Sequence, residues 1–327
     1  MGPRARALVA ALTVAFVLLG AWVTGAQAAQ PVELAAPYEY LGWGDPQPPA
    51  EVISQSGVQD ITLAFVLAAK GPGCTPAWDG HRPLLGGADA AAIESIRAAG
   101  DDVDVSFGGW SGRKLGSVCK SVSALQAAYQ QVIDAYSLRA IDIDIEHGEF
   151  KNRKARGRVL QALAGVQRAN PGLEISITMG TGEGGPDRTG AALITEAAAI
   201  AFRPTVWTVM PFDFGPPASD MGHASIRALE GLAAALASAY GISTAAAYEM
   251  AGVSSMNGRT DEASETVTLE DFRAIAAFAG VHHLARLTFW SINRDRPCPS
   301  SPAPEEECSG IAQAPFAFSS IVAGYHG

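Results

Sequence analysis

Short apolar runs alternate along this chain with longer segments whose apolar positions recur at helical spacing. Strands are predicted at Tyr38–Trp43, Ile61–Leu67, Val103–Gly109, Ala140–Glu146, Leu173–Gly180, Val206–Asp213, Ala245–Met250 and Arg286–Ile292. Between them the spacing predicts helices over Ala90–Ala99, Ser123–Tyr136, Arg153–Arg168, Gly190–Ala201, Ile226–Tyr240 and Leu269–Ala279, with Pro315–Tyr325 closing the chain. The first connection, Gly44–Gln59, is proline-rich and only weakly helical. Regular alternation implies a parallel sheet. Eight repeats of it imply one closed α/β barrel of the (β/α)8 TIM type over 37–327, with no second domain. A doubly wound sheet is the alternative, but the glycine fingerprint that binds nucleotides after a first strand is missing.

The fourth strand breaks the apolar pattern in an informative way. Ile141-Asp142-Ile143-Asp144-Ile145-Glu146 puts three acids on one face and three isoleucines on the other. Like charges then stand in file, each about 6.6 Å from the next by strand rise. At carboxyl separations near 5 Å and an effective dielectric of about 20, two of them repel by roughly 3 kcal/mol, or about two pKa units. One should therefore hold a proton near neutral pH. A protonated carboxyl beside an ionised one is what general-acid cleavage of a glycosidic bond requires. A solvated edge strand would not set a continuous isoleucine face opposite the acids. A divalent cation would need further oxygen ligands, and no Asp- or Asn-rich loop supplies them, so no metal is expected. In a barrel the acids point inward, with Glu146 at the carboxyl end of its strand, the face that carries barrel chemistry.

Arg4 and Arg6 precede an apolar run, Ala7–Val23, and Ala26-Gln27-Ala28 offers a small-residue cleavage pattern. Residues 1–28 are read as a secretory signal and 29–36 as a short linker, with an uncleaved anchor as the alternative. Removing the two arginines takes the formal charge from −10 to −12, which argues against nucleic acid or a lipid surface as partner. Hydrophobic residues at 48% and charged ones at 17% describe a globular chain. The roughly 290 residues over 37–327 are an ordinary length for such a barrel. Export makes disulfides of Cys74, Cys119, Cys298 and Cys308, for which three pairings exist. Cys298 with Cys308 would close a short Pro/Glu-rich loop, leaving Cys74 with Cys119.

The run Ile141–Gly148 resembles the Asp-x-Asp-x-Glu signature of family-18 glycoside hydrolases, the chitinase family. Ser106-Phe107-Gly108-Gly109 resembles the Ser-x-Gly-Gly motif one strand earlier. Met210-Pro211-Phe212-Asp213 resembles the Met-x-Tyr-Asp motif of strand six, and Phe289-Trp290-Ser291 the strand-eight segment whose Trp floors the sugar site. Four motifs in order, over Tyr38–Tyr325, imply a secreted monomeric enzyme that binds chitin or N-acetylglucosamine oligomers and uses no cofactor. The implied reaction is retaining and has no enzymatic nucleophile. Glu146 protonates the glycosidic oxygen, and the substrate's 2-acetamido carbonyl attacks to give an oxazolinium ion. Asp144 orients that group, Asp142 shares a proton deeper in the barrel, and Glu146 then activates water. Ser106, Gly108, Gly109, Met210, Phe212, Asp213 and Trp290 are implied to meet substrate. A non-catalytic chitin-binding or inhibitor protein on the same barrel, and an endo-β-N-acetylglucosaminidase acting on N-glycans, are the competing readings.

Two positions depart from the family pattern. Arg139-Ala140 replaces the Asp-Gly that commonly opens the signature, which bears on local packing. Phe212 replaces a Tyr that hydrogen-bonds the acetamido carbonyl, and Asp213 or a distant Tyr such as Tyr248 is a candidate to compensate. Among other aromatics, Trp43 and Trp110 fall near strand ends where they could line a cleft, whereas Trp78 reads as core or loop filler. The glycine-rich Gly180–Gly185 segment lacks the Lys-Ser/Thr pair of a phosphate cradle. His282-His283 reads as solvated turn histidines, and Asp104 as core polarity.

Overall fold

A computed structural model describes residue 2 and residues 35–215, 220–299 and 306–327. All of the predicted leader but residue 2, and all of the linker but residues 35 and 36, lie outside the described residues. The barrel belongs to the unit Pro31–Gly327. Its strands are β1 (Tyr38–Tyr40), β2 (Asp60–Ala68), β3 (Asp102–Gly108), β4 (Ala140–Asp144), β5 (Glu174–Gly180), β6 (Val206–Met210), β7 (Ala251–Met256) and β8 (Arg286–Trp290). Each pairs in parallel with its sequence neighbours, and β1 pairs with both β2 and β8, which closes the barrel.

Seven strands fall where the sequence places them. The seventh does not. Ala245–Met250, predicted as strand, is mostly a short helix, Thr244–Tyr248, started by the Ser243 hydroxyl accepting from the Ala246 N–H at 3.2 Å. The strand is Ala251–Met256, a run of small residues with little apolar signal. Its composition follows from crowding inside the barrel: a Cβ at Gly252 would lie 2.8 Å from Arg286 and 2.9 Å from Thr208. β6 stops at Met210 because Pro211 has no N–H to continue the ladder.

Around the barrel run α1 (Pro49–Ser56), α2 (Ala88–Ala99), α3 (Val122–Tyr136), α4 (Arg153–Ala169), α5 (Arg188–Ala199), α6 (Met221–Tyr240), α7 (Leu269–His282) and α8 (Ala317–Ala323). Side-chain caps set several boundaries. Asp220 accepts from His223 and starts α6 a turn before the apolar spacing does, and Thr268 with Asp271 forms a capping box on α7. Ile141 and Ile143, facing outward from β4, and Ile145 just beyond it are at most 1% exposed beneath these helices. Burial of each is worth about 1.5–3 kcal/mol.

The inward residues are unusual for this architecture, whose interiors are dominated by branched apolar side chains. Thr62, Asp104, Ser106, Asp142, Ser176, Thr178, Thr208, Arg286 and Thr288 are all fully buried there. Such a core is stable only if its polar atoms satisfy one another. Outside the barrel, Pro76–Trp78 adds a short antiparallel strand to β2 and seats Trp78 in the core, its indole N–H on the Tyr136 hydroxyl at 2.8 Å. Arg139, at the unexpected position before β4, pairs with Asp102 at 2.6 Å beside Arg97. Disulfides join Cys74 to Cys119, tying the connection after β2 to the one after β3, and Cys298 to Cys308 in the segment after β8.

Candidate active site

The carboxyl ends of the strands surround a cleft of about 380 Å³. β4 delivers the acids to it in a ladder. Asp142 is fully buried, Asp144 is 5% exposed at the cleft floor, and Glu146 lies just beyond the strand end, facing the cleft. Burial and the nearby charges of Glu146 and Asp142 push the Asp144 carboxyl well above the usual range. Burial, with Asp213 and Asp261 adding to it against the ammonium of Lys114, pushes Glu146 up to about 7. Glu146 is therefore protonated in mildly acidic solution while still facing solvent-accessible space.

Asp142 sits below and is surrounded by donors. Ser106 Oγ donates at 2.6 Å and the Tyr38 hydroxyl at 2.9 Å to one oxygen, Thr178 Oγ1 at 2.6 Å and Arg286 at 3.1 Å to the other. Asp144 receives no comparable support, and its Oδ1 is buried without a partner. A buried carboxyl oxygen left open beneath a cleft is suited to a ligand N–H.

The glycines of the strand-three motif act by allowing close approach. Gly108, at φ 114°, would place a Cβ 2.1 Å from the Asp144 carbonyl, and Gly109, at φ 79°, one 2.6 Å from the Phe65 ring. The Gly109 N–H donates to the Asp144 carbonyl at 2.9 Å. Ser106, Gly108 and Gly109, expected to meet substrate, instead hold Asp142 and the backbone of Asp144, and none lines the cleft. Lys114, buried against the Gly108 and Ser111 carbonyls, holds the loop that carries Trp110.

Trp290, Met210, Phe212, Asp213, Trp43 and Trp110 all line the cleft. Trp290 and Phe65 stack, centroids 5.5 Å apart and 11° from parallel, and Tyr40 bridges from Trp290 to Trp43 at 6.3 and 5.2 Å. Trp43 is 49% and Trp110 69% exposed, so both present free faces. Trp110 meets His147, the residue after Glu146, edge-on at 3.7 Å. Tyr248 cannot supply the hydroxyl that Phe212 lacks, because it packs against Phe278 and His282 on the outer layer. Asp213 has its own work: its N–H donates to Glu265 at 2.8 Å and its carboxylate accepts from the Glu262 N–H at 3.2 Å. Within the Gly180–Gly185 segment, packing accounts for Gly185, whose Cβ at φ 106° would lie 2.7 Å from the Gly231 backbone of α6.

Sequence reading missed Tyr38, Phe65, Thr178, Lys114, Arg286 and Glu306. Inward parity on β1, β5 and β8 was the available signal for Tyr38, Thr178 and Arg286. Nothing local marked Glu306, which reaches the Trp290 indole N–H at 3.1 Å from the segment closed by the Cys298–Cys308 disulfide.

No family model matches the chain. It is 28% identical over 312 residues to a "probable bifunctional chitinase/lysozyme" of Escherichia coli K12, covering 91% of this chain and 35% of that protein. It is 28% identical over 255 residues to Endochitinase 11 of Metarhizium anisopliae, covering 73% of this chain and 48% of that protein. The chain thus spans less than half the length of these curated relatives. Among solved structures, the catalytic domain of a hyperthermophilic chitinase from Pyrococcus furiosus superposes with TM-score 0.81 at 27% identity, over 91% of this chain and 98% of that one. Catalytic-site mutants of that thermostable chitinase, complexed with chito-oligosaccharides, match at TM-score 0.82.

Proposed function

We propose that this chain, a family-18 glycoside hydrolase, is a secreted, monomeric chitinase that cleaves β-1,4 linkages between N-acetylglucosamine units with retention, assisted by the substrate. One observation carries the reading: Glu146 stands at the cleft with its carboxyl raised to about 7, directly above the buried and partly unpartnered Asp144. That arrangement suits a general acid over a group that waits for an amide N–H.

In the proposed reaction a pyranose rests its C–H face on Trp290. Its acetamido N–H donates to Asp144, which fixes the carbonyl oxygen beneath the anomeric carbon. Glu146 gives its proton to the glycosidic oxygen as that bond breaks and the carbonyl oxygen closes the oxazolinium ring. The anion on Asp144 offsets the positive charge that develops on the nitrogen. Glu146, now ionised, takes a proton from water, whose oxygen opens the ring from the same face as the departed group. Trp43 and Trp110 extend the aromatic surface along the polymer. Export is supported by the two disulfides, which persist in oxidising compartments.

The test is reducing-end release from N-acetylglucosamine oligomers and from an N-glycosylated protein, by wild type and Glu146→Gln. Release from the oligomers alone, abolished in the variant and giving the β-anomer first, is the expected result. Equal rates for the two proteins, or α-anomer first, would overturn the mechanism.

A further inference from the structure

Six carboxyl side chains line the cleft: Asp79, Asp144, Glu146, Asp213, Asp261 and Glu306. Among the described residues no lysine, arginine or histidine lines it with them. The proposed reaction uses two of the six, Asp144 and Glu146. A neutral polymer gives the other four nothing of opposite charge to meet.

Some of that charge is answered locally. Glu306 accepts from the Trp290 indole and stands 4.0 Å from Arg294. Asp213 accepts from the Glu262 N–H at 3.2 Å, which satisfies an oxygen without adding a cation. Asp79 lies 3.4 Å from Arg82 and 3.8 Å from the His81 ring, but that guanidinium is committed to Asp89 by two bonds of 2.8 Å. Two acids thus share one arginine beside Tyr40, the ring that meets Trp43.

Asp261, in the connection after β7, is answered by nothing. It is exposed, and its carboxylate makes no hydrogen bond or ion pair among the described residues. Its charge reaches the carboxyls of both Glu146 and Asp213. Three acids therefore repel one another where the glycosidic bond is cut. A cation arriving among them relieves that repulsion, and an anion adds to it.

The space these acids surround is already shaped for a sugar chain. Asp144, only 5% exposed, lines it with a buried oxygen that has no partner, which suits an acetamido N–H. Trp43 adds a free indole face, which attracts an ammonium as well as a sugar C–H face. Three N-acetylated polymers differ in what their neighbouring units present. Chitin is neutral throughout. Partly deacetylated chitin carries amines that are protonated in mildly acidic water. Bacterial wall glycan carries a lactyl carboxylate on alternate sugars.

We propose that the cleft selects partly deacetylated chitin, seating an N-acetylated unit on Trp290 and a cationic glucosamine unit next to it, with Asp261 as the residue that reads the ammonium. The proposal deepens the chitinase reading and rests on it for the unit on Trp290, whose acetamido group the reaction consumes and regenerates. The neighbouring unit takes no part in the bond changes, so its acetyl group is dispensable and its charge becomes an asset. The same field disfavours wall glycan, whose carboxylates would enter among like charges.

Kinetics on N-acetylglucosamine oligomers, before and after random partial deacetylation, provides the test. At low ionic strength kcat/KM for the deacetylated set is expected to exceed that for the neutral set by about three- to tenfold, with the ratio shrinking as salt is added. Asp261→Asn should lower the ratio, Asp261→Glu should restore it, and Asp261→Lys should bring it below one. A merely structural role for Asp261 would slow both substrates and leave the ratio in place. Mass spectrometry of the products should find an acetylated unit at every new reducing end and glucosamine enriched in one of the units flanking the cut unit. A wild-type ratio of one or less, a ratio indifferent to Asp261→Asn, or chance frequencies at both flanking positions overturns the proposal. Should wild type cut neither substrate, the functional reading fails, while its calorimetric affinity for the two sets of oligomers still decides the charge preference.

Discussion

Trp290 donates its indole N–H to Glu306 across 3.1 Å, so the aromatic floor of the cleft is held by a carboxylate from the segment that the Cys298–Cys308 disulfide closes. Glu306 also stands 4.0 Å from Arg294, whose guanidinium is itself fastened to the backbone carbonyls of Asn257 and Arg259. The floor is therefore held by ring contacts with Phe65, Tyr38 and Tyr40 and by this charge-assisted bond.

Removing the carboxylate should loosen the ring without emptying the cleft. Glu306→Ala is expected to lower kcat/KM on chitin oligomers about five- to tenfold, the equivalent of about 1–1.5 kcal/mol, less than a fully buried bond to a carboxylate because this one is partly exposed to water. Glu306→Gln keeps an acceptor and should fall between Ala and wild type. Trp290→Ala loses the platform itself and should cost more than either. Steady-state kinetics with the three variants checks the order, and a Glu306→Ala enzyme equal to wild type would remove the carboxylate from the account of binding.

Glu146→Gln should lower kcat by two to four powers of ten, the usual worth of a general acid and base. Wild-type activity should decline as pH rises through about 7, where Glu146 gives up the proton that the leaving group needs. The coupled titration of Asp144 broadens that limb, because the two carboxyls lose their protons as a pair. A rate that stays flat well above neutrality would show that the glycosidic oxygen is protonated by another group.

Much of this site could be read from the chain because β4 states its purpose locally: no packing rule explains three acids opposite three isoleucines. Arg286 and Tyr38 carried only their strand parity as a signal, which says nothing of a role. A single arginine or tyrosine in an apolar strand looks like an edge or an interface position until the barrel closes and turns it inward. Ser106, Gly108 and Gly109 were recognised as a motif, but their task depends on how nearly β3 approaches β4, a three-dimensional distance absent from one strand's pattern. β7 was misplaced because Gly252 leaves room for Arg286 and Thr208 and serines follow it, so its hydrophobic signal is weaker than that of the Ala-rich helix before it.

Several buried acids make stability depend on pH in an unaccustomed direction. Burial raises Glu39 well above its usual value, and neither of its carboxyl oxygens has a hydrogen-bond partner. Asp60 and Glu149 are each pushed up to about 7, also mainly by burial. An acid whose folded value is raised binds its proton more tightly when folded, so its contribution is complete below the unfolded value and is lost as pH rises through the folded one. Between about pH 4.5 and 7, Asp60 and Glu149 each favour the folded state more as pH falls, with a limiting slope of roughly 1.4 kcal/mol per pH unit. The Tm should therefore rise as pH is lowered from 8 toward 5. Glu39→Met, which removes an unpartnered buried carboxyl, should raise the Tm most at the alkaline end. Calorimetry across that range decides it; a wild-type Tm that rises with pH throughout would show these carboxyls to be ionised and stabilised in the fold.

Phe212 offers a gain-of-function test. It is half-buried in the cleft wall between Met210 and Asp213, at the place where the family motif carries a tyrosine. Tyr248 points away into the outer layer, and the Asp213 carboxylate, which accepts from the Glu262 N–H, has no proton donor to lend an oxygen that carries developing charge. The chain should therefore run its proposed reaction one hydrogen bond short. A hydrogen bond to a charged partner is worth about 1.5–3 kcal/mol, so Phe212→Tyr is expected to raise kcat by one to two powers of ten if the hydroxyl reaches the acetamido oxygen. The gain should appear in kcat more than in KM, because the carbonyl oxygen acquires its charge only as the ring closes. The Ser254 and Thr181 hydroxyls also border the cleft and provide the control. If Phe212→Tyr leaves kcat unchanged while Ser254→Ala or Thr181→Ala lowers it, the missing donor has been replaced from a neighbouring strand end. If all three leave kcat unchanged, the acetamido oxygen needs no protein donor in this enzyme.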